Sequence, residues 1–140
     1  AEHQMTSLVQ LGAMAGGTVT NPEEGSLENR VSVMADETIT AWRAVDLAGT
    51  VPTSGGSDLP AEFAASILPI ELILHGWDLA QASGQNLHVS DEVVAYIATL
   101  AEAVVPGGRG RSFSEETTPS DDASPIDRLA AFAGRTPIAV

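Results

Sequence analysis

The chain has 140 residues, no cysteine, and 19 acidic against six basic residues, a net charge of −13. Without cysteine it has no disulfide, no Cys-ligated zinc and no thiol nucleophile of its own. Its charge and 4% aromatic content oppose nucleic acid, whose binding needs phosphate neutralisation and stacking platforms, and also oppose anionic lipid.

Helical periodicity first runs from Glu2 to Ala15, with Met5, Leu8, Val9 and Leu11 apolar and Gly16-Gly17 as the stop. "TVTNPEEGS" is a loop with Asn21-Pro22 as its turn signal. Leu27 to Val45 is the clearest amphipathic helix, with Leu27, Val31, Met34, Thr38, Trp42 and Val45 in register and Ser26 as N-cap. "DLAGTVPTSGGSDLP" reads as a long loop holding a short extended piece at Thr50-Val51. Helical signal returns from Ala61 to Ala82, and Pro69 predicts a start or bend near Leu68. Gly84 supplies the stop. Ser90 caps a helix over Asp91 to Val105, ended by Pro106-Gly107-Gly108. The polar stretch after it is irregular unless Phe113 pins it to the core. Ser124-Pro125 opens a last helix that reaches Ala133 and ends at Gly134. The pattern predicts one all-α domain over residues 1–140, four or five helices with little strand. No run of 18 consecutive apolar residues and no secretory leader is present, so a soluble cytoplasmic protein with no membrane partner is expected.

Within "LPIELILHGWDLAQASG" the residues are apolar on nearly every side, yet Glu71, His75 and Asp78 fall in one line. Residues four apart on a helix share a face, about 5–6 Å between Cβ atoms. A buried carboxylate needs compensation. Either Glu71 accepts a hydrogen bond from His75 or from an arginine of a neighbouring helix, or a divalent metal binds both. Only two other histidines exist. His88 lies in a connection and reads as exposed. His3 lies in the first turn of the first helix, where it is either frayed in solvent or aimed inward by a neighbouring helix.

"ELILHGWDLAQASGQ", the tail "DDASPIDRLAAFAGRTP" and the spacing in "HQMTSLVQLGAMAGG" resemble the mycothiol-dependent maleylpyruvate isomerase-like proteins of actinobacteria, within the DinB-like metalloenzyme superfamily. The resemblance implies a four-helix bundle with an added C-terminal helix. It implies a core metal, zinc first and nickel or another divalent ion next, on His3, Glu71 and His75. Three protein ligands leave one coordination position open, as at catalytic sites. Members of that family begin with a further long helix. Its absence here predicts either a fragment or a second copy covering the exposed side as a homodimer.

With that family's chemistry, mycothiol or another small-molecule thiol becomes a thiolate for cis–trans isomerisation or S-transfer, and water in its place supports hydrolysis. Asp78 would orient His75 or another of the ligands, or is a helix-surface carboxylate, and Trp77 is either core or part of the metal's surroundings. Arg109 and Arg111 would clamp an anionic substrate or serve as loop charges. Two other classes stay open: a bundle that binds a small ligand without turnover, and a structural interaction protein whose Glu71–His75 pair is a satisfied buried contact.

Overall fold

The computed structural model describes residues 2–137. The chain is mostly helical, with five helices and a small two-stranded sheet among the described residues. It divides into two compact units, Ala1–Glu71 and Leu72–Val140, with the boundary inside the third helix.

In the first unit, α1 (Glu2–Met14) buries Gln4, Met5, Leu8, Leu11 and Gly12, the three-and-four spacing of one helical face. This face packs on α2 (Leu27–Trp42), which buries Met34, Thr38 and Trp42. The Thr38 hydroxyl lies 2.8 Å from the Met34 carbonyl and 3.2 Å from that of Leu8, so its one proton serves both helices. Ser26 caps α2 as predicted, accepting from the Asn29 N–H. The segment joining the helices is stapled to α2 by Glu37, which accepts from the Thr20 N–H at 2.8 Å, and by Arg30, which donates to Asn21 at 2.7 and 3.2 Å. The helix ends three residues short of Val45, because the Ala44 and Val45 N–H groups bond only three residues back and tighten the chain into a turn.

The long loop that follows is a hairpin. β1 (Thr50–Pro52) pairs antiparallel with β2 (Asp58–Pro60), and Val51 opposite Leu59 is buried. The extended piece at Thr50-Val51 was legible; its partner strand was not, since "SDLP" carries no alternation. β2 leads directly into α3 (Ala61–Ser83).

Pro69 sits inside α3, which is continuous from Ala61, so the proline does not start the helix. Proline there removes the N–H that would have bonded to Ala65, a cost of about 3 kcal/mol. Leu68 and Ile70 on either side are buried, with Ile73, Leu74 and Trp77 beyond them, and each such side chain contributes roughly 1.5–3 kcal/mol. Packing therefore outweighs the lost bond. By length and composition α3 is also long and apolar enough to cross a membrane. Its apolar runs are interrupted by residues such as Pro69, Glu71 and His75, so no stretch of 18 consecutive apolar residues marks it in the sequence.

In the second unit, α4 (Asp91–Gly108) is capped by Ser90 and buries Val94, Ile97, Ala101, Val104 and Val105. It continues one turn past the predicted end, with Pro106 in its last turn. Phe113 folds back and is buried, its ring so close to Gly108 that a Cβ there would lie 2.7 Å from it. The polar stretch is thus pinned at Phe113. α5 (Pro125–Phe132) has Ser124 as N-cap and proline in its first turn, as its sequence signature required. It ends in a Schellman motif: the Gly134 N–H bonds to the Ala131 carbonyl and the Arg135 N–H to that of Ala130.

Candidate metal centre

α1 and α3 carry the side chains that the sequence singled out. His3, Glu71 and His75 each offer a ligand atom, and these three atoms all lie within 4.8 Å of one another. Glu71 and His75 meet because they are one helical turn apart on α3. His3 stands in the first turn of α1 and is exposed, while Glu71 and His75 are half-buried. Metal–ligand bonds of 2.0–2.2 Å place tetrahedral donors roughly 3.4 Å apart. The 4.8 Å within which the three atoms lie is wider than that spacing. Two imidazoles and a carboxylate are also the borderline donor set that suits zinc or nickel. The residues present fit a divalent cation.

Asp78 is placed where it can orient His75. Its Oδ2 lies 3.1 Å from His75 Nδ1. Burial pushes the Asp78 carboxyl up, but hydrogen bonds and charge from His75 and Arg135 outweigh burial and hold it below the usual carboxylate value. An ionised carboxylate only accepts, so Nδ1 carries the proton and donates to it. In the neutral ring, Nε2 then holds the lone pair that a metal would take.

Two partners in this arrangement were not found from the sequence. Arg135 donates from Nε to Asp78 Oδ1 at 2.9 Å and from NH2 to Oδ2 at 3.0 Å, a two-bond fork. Asp127 accepts the Trp77 indole N–H at 2.8 Å. It also accepts the Ser124 hydroxyl at 2.6 Å. The adjacent residues Trp77 and Asp78 therefore hold the two ends of α5. Trp77 is a buried side chain with its polar tip satisfied. Nothing local in the sequence signals contacts 50 and 57 residues apart.

Arg109 and Arg111 sit at the end of α4 and are engaged there. Arg109 donates to the carbonyls of Ser114 and Phe132 and lies over the Phe132 ring, 5.2 Å from its centroid. Arg111 donates to the Gly107 carbonyl. Their hydrogen bonds hold the turn after α4 rather than reaching His75 or Asp78. His88 is exposed, as expected, and lines a cleft of about 620 Å³ in the second unit with Trp77, Gln81, Gln85, Asp91 and Asp127.

Neither a protein-family model nor a solved structure matches the chain. Two proteins of Mycobacterium tuberculosis are similar to it: "Uncharacterized protein Rv0738" of strain H37Rv and "Uncharacterized protein MT0763" of strain CDC 1551. Each is 32% identical over 82 residues, which is 56% of this chain and 45% of the relative. The chain spans about half the length of the curated relatives it matches.

Proposed function

We propose that this chain is a divalent-metal-dependent enzyme of the DinB-like, four-helix-bundle kind, activating a small-molecule thiol or water for isomerisation or S-transfer. The observation that carries the reading is the mutual approach of His3, Glu71 and His75. These side chains would hold the cation, zinc before nickel on the donor set. A cation held there supplies Lewis-acid chemistry that makes a coordinated thiol or water acidic at neutral pH.

The protein's own groups do the rest. Glu71 brings a carboxylate oxygen beside two imidazole nitrogens, a donor set that suits a divalent transition metal. Asp78 fixes the ring of His75 and its tautomer. His3 is exposed, so it is the ligand that a small substrate could reach from solvent. The chain has no cysteine, so sulfur chemistry requires a thiol from outside, mycothiol by the family resemblance. Relatives in Mycobacterium tuberculosis agree with that actinobacterial setting. A soluble, cytoplasmic protein is part of the proposal: two polar groups of α3, on Trp77 and Asp78, are matched by protein partners, Asp127 and Arg135.

Elemental analysis of untagged protein tests the reading. Near-stoichiometric zinc or nickel is expected, lost in Glu71→Ala and in His75→Ala. Protein that arrives metal-free and cannot be loaded with either ion would refute it. The cleft beside Trp77 and His88 favours a second reading, a module that binds a small ligand without turnover, since none of the three cluster residues lines it. A ligand that raises the melting temperature by occupying that cleft, in protein without metal, would favour the second reading over the first.

A further inference from the structure

Arg135 is one of only six basic residues facing 19 acidic ones, yet it places its fork on a single carboxylate, Asp78. Several features aim it there. Gly134 adopts φ +82, a left-handed conformation that glycine takes without a Cβ penalty. A Cβ at that position would also lie 2.7 Å from the backbone of Ser114. The Schellman turn that Gly134 makes possible reverses the chain at Arg135. Thr117 brackets the turn, donating its N–H to the Ala131 carbonyl at 3.0 Å and its hydroxyl to the Arg135 carbonyl at 2.6 Å. With its backbone held, the guanidinium reaches Asp78 with 20% of its side chain exposed.

One carboxylate oxygen alone could rotate away from the His75 ring. Asp78 Oδ2 accepts from both His75 Nδ1 and Arg135 NH2, while Oδ1 accepts from Arg135 Nε. The fork thus fixes the plane of the carboxylate and leaves Oδ2 directed at Nδ1. We infer that Arg135 is a positioning residue for the cluster: through Asp78 it locks His75 as the Nδ1–H tautomer and keeps Nε2 as its donor atom. Arg135 bonds Asp78 directly and acts on His75 through it. The inference deepens the metal reading and rests on it for its purpose, but the lock itself is a property of the metal-free protein.

The tautomer of His75 can be read directly from ring nitrogen and proton correlations in labelled, metal-free protein at alkaline pH. Nδ1 protonated and Nε2 unprotonated is the expected wild-type pattern. Arg135→Met should shift the ring toward the Nε2–H form that free imidazole side chains favour, and Arg135→Lys, with one charged donor and no fork, should fall between. Asp127→Ala is the control for loosening of α5, since it releases the other end of that helix without touching Asp78. It should leave the His75 pattern as in wild type. A wild-type pattern in Arg135→Met, or an equal shift in Asp127→Ala, overturns the inference. Zinc titration of the same proteins separates the two readings. Arg135→Met should weaken zinc by about 10–100-fold, the usual cost of losing an outer partner of a ligating histidine. Wild-type protein that binds no zinc refutes the metal proposal while leaving the tautomer result to stand or fall by itself.

Discussion

His3 and His75 are held by two kinds of structure. His3 rides on α1, which is seated by aliphatic contact: Leu8 and Met34 are almost fully buried, and the buried hydroxyl in that seat, on Thr38, bonds backbone carbonyls. His75 rides on α3, where neighbouring side chains are tied to α5 by Trp77–Asp127 and Asp78–Arg135. Apolar burial is non-directional and places a helix. Hydrogen bonds are directional and place a ring. The comparison therefore predicts that His75 enters any ligand already oriented, whereas His3 supplies reach and access. The two supports should respond differently when each is cut.

Cutting the apolar support should have the largest effect. Met34 has no exposed surface, and Met34→Ala leaves a cavity between α1 and α2. Losses of this kind run about 2–5 kcal/mol, readable as a lower urea midpoint. Amide exchange should rise first in α1 and α2, while the ring signals of His75 keep their wild-type shifts. If those signals move as far as they do in Arg135→Met, the two supports are one and the comparison fails.

Cutting the polar support at Asp127 should cost less. In Asp127→Ala the Ser124 cap survives through the backbone, but the buried Trp77 N–H loses its acceptor, about 1–2 kcal/mol. The loss should depend on pH. Burial raises the Asp127 carboxyl, but bonds from Ser124 and Trp77 outweigh it and hold the group below its ordinary value. A carboxyl with a lowered folded-state pKa contributes stability above its unfolded value near 3.9, and loses it as pH falls through the lower folded value. The gap between wild type and Asp127→Asn should therefore be widest at neutral pH and close in acid. A gap that stays constant as the solution is acidified would show that the carboxylate's charge plays no part.

This difference also explains how much the sequence revealed. Local rules found the helices, because caps and stops are written within a few residues: Ser26, Ser90 and Ser124 open helices, and Gly16, Gly84 and Gly134 close them. The Glu71–His75 pair was legible for the same reason, since one helical turn fixes it. Pro69 does not start α3, because its cost is local and the burial that overrides it is not. Arg135 and Asp127 were invisible as partners of α3, for their contacts close over 57 and 50 residues. His3 was an intermediate case: its place in α1 could be read, but its approach to Glu71 depends on packing.

The smallest expected effect has the opposite sign. Gln4, next to His3, is 5% exposed, and its Oε1 is buried with no hydrogen-bond partner. A buried acceptor without a donor forfeits its hydration and gains nothing for it. Gln4→Met roughly conserves the volume of the side chain and removes its amide, including the unmatched oxygen, so it should raise stability by about 1 kcal/mol in urea titration. A seat made more apolar should tighten. The same logic applied to the other support gives a loss, because Asp78 and Asp127 have partners that their removal would strand. A destabilised Gln4→Met would mean that α1, too, is positioned by a directional bond, and that the two histidines are held alike.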